Sequence, residues 1–186
     1  MTLETDRTGR VSGAAQATAV DHDATDRLAR LFEERHQRLY RLAVRVAFDP
    51  EDARDLVQET FLRAARALDS VPHGAPHEEA WLVRTLVNLI RDGARRRRVR
   101  QLGQQAVKDV EACRTSGAAS SDSALIAQAA VRAALAKLAP RRRAIVVLHE
   151  LEERDVAEIA ALLGISKVTV RWHLALGRSE LRELLR

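Results

Sequence analysis

Residues 155–186 read DVAEIAALLGISKVTVRWHLALGRSELRELLR, and the rest of the chain is organised around this stretch. Asp155 can cap a helix, and Glu158, three residues later, supplies the second half of a capping box. Gly164 ends that helix, because glycine adopts the left-handed conformation without strain. Ser166 is a good N-cap for the helix that follows. The stretch therefore predicts two helices joined by a turn of three or four residues, a helix-turn-helix.

The second helix of this pair has one apolar face and one cationic face. Spacings of three and four residues define the apolar face as Val170, Leu174, Gly177, Leu181 and Leu184. The other face carries Lys167, Val168, Arg171, Trp172, Ala175 and Arg178. The N-terminal residues of such a helix reach base edges in a major groove. The pattern favours DNA binding over the alternative, a charged surface helix packed on a bundle.

The composition of the 186-residue chain indicates a helical, globular protein. Hydrophobic residues make up 46% and charged residues 31%, while aromatic residues are only 3%, so aliphatic side chains must fill the core. Leu, Ala, Arg and Glu dominate and favour helix. The predicted fold is all-α, with two small helical domains joined by a flexible linker and the helix-turn-helix at the end of the second.

No apolar run approaches the length of a membrane span, and the N-terminus is too polar for a signal peptide. We therefore expect no membrane insertion. Cys113 is the single cysteine, so the chain can form no internal disulfide, and a cytoplasmic location is expected.

Basic charge is concentrated in one place. The formal net charge is +5, and Arg91–Arg100 alone contains six arginines against one aspartate, also +5. A patch of this kind points to a polyanion, with nucleic acid favoured over membrane. Just before and within it, Arg84, Asn88, Arg91 and Arg95 recur at helical spacing, and such a row suits phosphate contacts.

Periodicity divides the chain into four segments. Residues 1–25 are polar and aperiodic, which predicts a disordered tail. Residues 26–98 carry apolar stripes at helical spacing. Residues 99–122 lose this periodicity and predict a flexible linker. Residues 123–186 form the second helical unit.

A turn-rich segment interrupts the first unit. Residues 69–79 contain Gly74 and Pro76, and we expect a loop that is not helical, with the next helix starting near Glu78. His73 and His77 are four residues apart in this loop. Because the intervening Gly and Pro exclude helical geometry, the pair is not a ready metal site, and no metal site is predicted.

The helix before this loop starts at Asp49-Pro50, where Asp49 caps and Pro50 suits the first helical position. Its outer face carries an acidic and amide stripe with an exposed leucine, and the residues of this face are Asp55, Gln58, Glu59, Leu62, Arg63 and Arg66. Periodicity alone leaves two interpretations open, a protein-docking face and a solvated helix surface.

Together these features resemble the extracytoplasmic-function group of the sigma-70 family, the specificity subunits of bacterial RNA polymerase. The match is carried by residues 52–64 (DARDLVQETFLRA), 80–88 (AWLVRTLVN) and 159–171. It covers about residues 26–98 and 124–186. The resemblance implies an N-terminal domain that docks on the clamp helices of the largest polymerase subunit and opens the minus-10 promoter element. The C-terminal domain would read the minus-35 element.

The resemblance and the residue patterns together give the candidate sites. Core polymerase would be bound by Asp55, Gln58, Glu59 and Leu62. The opened minus-10 strand would be handled by His73, His77, Arg84, Asn88, Arg91 and Arg95. The minus-35 contacts would come from Lys167, Thr169, Arg171, Trp172 and Arg178. The implied partners are core RNA polymerase, promoter DNA and an anti-sigma factor.

The chain departs from the family at several positions. Trp172-His173 and Leu176-Gly177 stand where relatives more often have Ser-Arg and Arg-Ala, and Val87 stands where Arg is usual. These departures leave the promoter sequence open.

Two other classes of protein compete with this interpretation. A free-standing helix-turn-helix regulator would have no need for the 52–64 stretch and would normally dimerise. A nucleic-acid enzyme is disfavoured, because the sequence has no carboxylate cluster, Gly-rich phosphate loop or nucleophile beside a positioned base. We accordingly predict no catalytic residues and no cofactor.

Overall fold

The computed structural model describes the backbone of residues 11–104 and 123–186, and the side chains of residues 23–99 and 125–186. In these ranges the regular structure is seven α-helices and one 3-10 turn. In chain order they are α1 (Val11–Ala47), α2 (Pro50–Arg66), the 3-10 turn (Leu68–Ser70), α3 (Ala75–Gln104), α4 (Ser123–Lys137), α5 (Pro140–Glu150), α6 (Val156–Leu163) and α7 (Lys167–Leu184). The predicted all-α fold is confirmed.

The break between α1 and α2 forms as the sequence predicts. Phe48 takes a left-handed conformation, with φ of 66°, which ends α1. Asp49 then caps α2: its Oδ1 accepts hydrogen bonds from the backbone N–H groups of Glu51 at 2.7 Å and Asp52 at 2.9 Å. Pro50 occupies the first helical position, where its missing N–H needs no partner.

Helices α1, α2 and α3 pack on one another, and α5, α6 and α7 form a second group that includes the helix-turn-helix. The two groups are also in contact, because α3 packs on α5 and α6, and α1 packs on α5. Their apolar side chains make one continuous core, in which Leu82 and Leu86 of α3, Ile145 of α5 and Ile159 of α6 are almost fully buried.

Ion pairs border this contact between the groups. Glu79 of α3 accepts hydrogen bonds from Arg38 of α1 at 3.4 Å and from Arg154, which precedes α6, at 2.9 Å. Burial raises the pKa of Glu79, and the nearby carboxylates add to this, although Arg35 opposes it. Arg45 of α1 pairs with Glu152 after α5. The contact is therefore apolar at its centre and charged at its edge.

Three predicted boundaries are wrong. Helix α1 begins at Val11, so residues 11–25 are helical rather than a disordered tail; this segment is rich in alanine, the best helix former. Helix α3 begins at Ala75, inside the predicted loop at 69–79, because Pro76 falls in its first turn, where proline is tolerated. The same helix continues to Gln104, past the predicted linker start at 99, since arginine also favours helix. Residues 1–10 and 105–122 lie outside the described backbone.

The α3 boundary changes the surroundings of the histidine pair. His77 lies in the first turn of α3, whereas His73 precedes the helix. Gly74, at φ of 97°, separates them, and its carbonyl accepts hydrogen bonds from the N–H groups of His77 and Glu78, both at 3.0 Å.

The inward apolar face of α7 is shorter than predicted, because Leu184 is 38% exposed.

Candidate polymerase and nucleic-acid interfaces

The acidic and amide stripe lies on the outer side of α2. Asp55 and Gln58 are exposed, Leu62 is 41% exposed, and Glu59 is half-buried. Arg63, one turn later, donates from Nε to Glu59 Oε1 at 3.0 Å. The opposite side of α2 is buried in the core through Ala53, Val57, Thr60, Phe61 and Ala64.

On one side of this stripe is a polar cleft. Its acidic wall is formed by Asp52, Asp55 and Glu59 of α2, and its basic wall by Arg96, Arg97 and Arg143. Arg97 pairs with Asp52 across the cleft at 3.8 Å. Burial, together with the positive charge of Arg97, lowers the pKa of Arg143. The carboxylates of the stripe thus face cations from both helical groups.

On the other side of the stripe is an apolar groove between α1 and α2. Its walls include Leu28, Phe32, Phe61 and Leu62. Phe32 is 46% exposed and packs edge-on against Phe61, with ring centroids 5.0 Å apart. Phe32 fits the inward apolar stripe of α1, so nothing in the sequence distinguishes it as a surface residue.

The row of polar residues on α3 is divided between two surroundings. Arg91 and Arg95 are exposed, Asn88 is half-buried, and Arg91 pairs with Asp92 at 3.4 Å. Arg84 instead reaches the second helical group, where its Nη2 donates to the carbonyl of Ala161 in α6 at 3.4 Å. The structure therefore does not bring the row together on one free surface. His73 and His77 are both exposed beyond the start of the row.

The helix-turn-helix has the local geometry that its sequence predicts. Asp155 Oδ1 accepts hydrogen bonds from the N–H groups of Ala157 at 2.6 Å and Glu158 at 2.8 Å, and Glu158 Oε2 accepts from the Asp155 N–H at 2.9 Å. These backbone hydrogen bonds, the one from Glu158 foremost, lower the pKa of Asp155. Gly164 ends α6 at φ of 63°, and Ser166 Oγ caps α7 by accepting from the Thr169 N–H at 3.1 Å.

Most of the predicted minus-35 residues lie on the exposed face of α7. The exposed side chains are those of Lys167, Val168, Arg171, Trp172, Ala175 and Arg178. Thr169 is half-buried, and its hydroxyl lies 2.9 Å from Ser166 Oγ, so it takes part in the cap. Arg178 donates from Nε and Nη2 to Glu150 Oε1, at 2.9 and 2.7 Å. Arg171 makes no hydrogen bond or ion pair within the described side chains.

Arg142 of α5 and His173 of α7 lie against the Trp172 ring. The guanidinium of Arg142 lies 5.9 Å from the ring centroid, and Arg142 also pairs with Glu180 of α7. The ring of His173 lies 4.8 Å from that of Trp172 in an edge-on arrangement. Burial and the charges of Arg141 and Arg142 lower the pKa of His173. Arg142 was not among the predicted site residues, although the run of three arginines after Pro140 could have indicated it.

Within the described residues, no single helix is long and apolar enough to cross a membrane. Helices α6 and α7 meet that test only when joined, across a bend of 109°.

Comparison with known proteins gives matches over both helical groups. Residues 31–100 match the sigma-70 region 2 family, and residues 128–181 match sigma-70 region 4. The ECF RNA polymerase sigma factor SigE of Mycolicibacterium smegmatis is 37% identical over 83% of this chain, which spans 60% of that relative. The ECF RNA polymerase sigma factor SigM of Mycobacterium tuberculosis is 34% identical over 88% of this chain and 81% of that protein.

A solved structure has the same fold. The sigma factor RpoE of Bartonella quintana, in complex with the anti-sigma factor NepR, superposes with a TM-score of 0.58. The superposition covers 88% of this chain and 96% of that one, at 23% sequence identity.

Proposed function

We propose that this chain, which belongs to the sigma-70 family and to its extracytoplasmic-function group, joins core RNA polymerase and directs it to promoters. The observation that carries the proposal is the presence of two different exposed surfaces on one chain, the acidic and amide stripe of α2 and the cationic face of α7. A free-standing regulator needs only the second surface. A sigma subunit needs both, because it must bind the enzyme as well as the DNA.

The docking surface would combine charge with apolar contact. Asp55 and Gln58 offer exposed polar groups, while Leu62 and Phe32 offer apolar surface directly beside them. Interfaces of this composition bind through a desolvated apolar centre and gain specificity from the charges at the rim. The partner would be the clamp helices of the largest polymerase subunit, presenting a complementary basic and apolar face.

The minus-10 surface would lie on α3 and the segment before it. Arg91 and Arg95 are exposed and would form a positive track for a displaced strand. His73 and His77 flank the left-handed Gly74 at the start of the helix, where the backbone bends and can shape a pocket for a base outside the stack. Arg84 would join this track only after leaving α6.

The minus-35 surface would be the exposed face of α7. Lys167 and Arg171 lie in its first turns, where a recognition helix approaches base edges. Arg178, paired with Glu150, would contribute a phosphate contact farther along the helix. Thr169 would act mainly by holding the start of the helix in place.

The chain itself would catalyse no reaction, and it would act in the cytoplasm, where polymerase and promoter DNA are found. Because SigE, SigM and RpoE are relatives or structural neighbours, and RpoE was solved with an anti-sigma factor, we also propose an anti-sigma partner. Such a partner would compete with polymerase for the exposed surface of α1 and α2.

The test is transcription with purified components. The full chain is mixed with bacterial core RNA polymerase and applied to a gel-filtration column, and the complex is then given genomic DNA fragments in a run-off assay. We expect co-elution and discrete transcripts that core polymerase alone does not produce. Failure to co-elute, with the fold intact by circular dichroism, would exclude the sigma function.

A further inference from the structure

Two apolar side chains stand among the cations on the outward face of α7. Val168 is 71% exposed and Trp172 is 55% exposed. They are four residues apart on one helix, so they are neighbours on the same face. Isolated exposed apolar residues are common on protein surfaces. This pair differs because it lies in the first two turns of the proposed recognition helix, where base edges are contacted.

Two neighbouring side chains of the same protein hold the Trp172 ring in place. Arg142 lies over the ring at 5.9 Å, and His173 lies edge-on at 4.8 Å. Arg142 is in turn fixed by its ion pair with Glu180 and by packing near Gly177. A side chain already held in this way loses little conformational freedom when it binds a ligand. The remaining surface of the ring is therefore available for contact with an apolar group of a ligand.

The chemistry of the major groove identifies that group. Hydrogen-bond donors and acceptors fill most of its surface, and the 5-methyl group of thymine is the apolar feature that side chains contact. Lys167, next to Val168 in sequence, and Arg178, farther along the helix, supply cations for the phosphates on either side. Four residues of helix rise about 6 Å, which is roughly two base-pair steps of about 3.4 Å.

On the basis of the proposed minus-35 role, we infer that Val168 and Trp172 select thymine at two minus-35 positions, one or two base pairs apart. They do so by covering the 5-methyl groups. The cations position the helix on the backbone, and the apolar pair excludes cytosine, which lacks the methyl group. This assigns thymine selectivity to apolar contacts with the methyl groups rather than to hydrogen bonds with the bases.

The experiment removes single methyl groups from the DNA. Duplexes randomised over the minus-35 region are selected with polymerase holoenzyme that contains the full chain, which gives the preferred sequence. Each thymine in it is then replaced by deoxyuridine, which lacks only the 5-methyl group. We expect binding about fourfold weaker at each of two positions, the effect of leaving about one methyl group uncovered. Val168→Ala should remove this sensitivity at one position and keep it at the other.

Each variant should fold like the parent, so that a change in DNA binding can be assigned to the substituted side chain. Val168 is largely exposed, so its replacement should leave the circular dichroism spectrum unchanged, and Trp172→Phe keeps a ring at the second position. Leu185→Ala, at a residue 48% exposed beyond the end of α7, should retain full sensitivity to deoxyuridine at both positions.

The thymine assignment is overturned if all deoxyuridine duplexes bind like the parent, if the selected sequence has no thymine at such spacing, or if Val168→Ala keeps the full sensitivity. In each of these cases minus-35 recognition itself would still stand. That proposed function fails in a different way, when the selection enriches no minus-35 sequence at all.

Discussion

The guanidinium of Arg84 lies directly against Gly164, where a Cβ atom would stand 2.8 Å from Arg84 Cζ. Arg84 belongs to the region 2 match and Gly164 to the region 4 match, so this contact joins the two helical groups. In this arrangement the Arg84 guanidinium is held at α6, although the residue remains exposed. Under the minus-10 role proposed for the α3 row, we expect Arg84 to exchange its contact with α6 for a contact with the DNA strand.

This contact predicts a non-additive pair of substitutions. Gly164→Ala should destabilise the protein, because φ of 63° costs a non-glycine residue about 1 kcal/mol, and because the Cβ displaces the mobile end of Arg84. The cost of displacing Arg84 should be absent when Arg84 is already replaced by alanine. Gly164→Ala should therefore destabilise the Arg84→Ala protein less than the parent, by up to about 1 kcal/mol, the value of one partly exposed hydrogen bond. The free energies of unfolding of the parent, the two single variants and the double variant, measured in urea, give this difference as a double-mutant cycle.

Gly74→Ala is the matched control for this cycle. Its φ is 97°, and no atom lies within 4 Å of the added Cβ, so only the backbone cost applies. That cost should be the same with and without Arg84. If Gly164→Ala also costs the same in both backgrounds, Arg84 does not rest on the turn in solution.

A second glycine sets the distance between α5 and α7. A Cβ on Gly177 would lie 2.7 Å from Val146 Cγ2, and Val146 is buried in the core. Gly177→Ala should therefore destabilise the protein by about 1–3 kcal/mol through overpacking, which exceeds the gain in helix propensity of about 1 kcal/mol. Gly93→Ala, whose nearest neighbour is Arg97 at 4.0 Å, should instead be stabilising. Equal effects of the two substitutions in a denaturant titration would contradict the close packing.

Charge reversal on α2 tests the docking surface. Asp55→Lys combined with Glu59→Lys should weaken binding to core polymerase at least tenfold, because close interfacial charge pairs are worth about 1.5 kcal/mol or more each. The combination of Asp69→Lys and Glu183→Lys makes the same change in net charge at exposed sites away from the stripe, and should bind normally. A pull-down titration with core polymerase compares the two variants, and similar affinities would remove the docking role from the stripe.

Replacing the two arginines of the α7 face with alanine should affect DNA binding in two different ways. Arg171 is free of partners within the described residues, so Arg171→Ala should cost about 1–3 kcal/mol and relax the preference at one base pair. Arg178 is already neutralised by Glu150, and Arg178→Ala should weaken all sequences by the same, smaller factor. Binding of the holoenzyme to a series of minus-35 duplexes distinguishes these outcomes. A uniform loss for Arg171→Ala would identify it as a phosphate contact.

His173 predicts a loss of stability in mild acid. Its pKa is lowered in the folded protein, by burial first and by Arg141 and Arg142 next. As the pH falls, His173 takes up a proton at about pH 6.5 in the unfolded chain and only at a lower pH in the folded chain. The stability that the neutral His173 contributes is therefore complete above about pH 6.5. It is lost as the pH falls towards the pKa that His173 has in the folded protein. The melting temperature of His173→Gln should change less between pH 7 and 5 than that of the parent, and an identical pH dependence would contradict this role.

The sequence by itself determined the local features of this protein. Asp49 and Asp155 cap helices, and Gly164 and Ser166 form the three-residue turn, as their neighbours in the chain dictate. These features are predictable because capping and left-handed helix ends depend on groups only two to five residues apart. The outer stripe of α2 and the exposed face of α7 follow for the same reason, since helical period alone assigns them to a side.

Only the tertiary structure decided how these surfaces are used. Val83 and Val87 of α3 are buried in the continuous core, and α3 packs on α1 and α2 as well as on α5 and α6 of the second helical group. Arg84 leaves its row for Ala161, 77 residues away, and Arg178 meets Glu150, 28 residues away. Contacts at such separations depend on how whole helices pack, and the period of a single helix contains no information about which neighbour will cover each face.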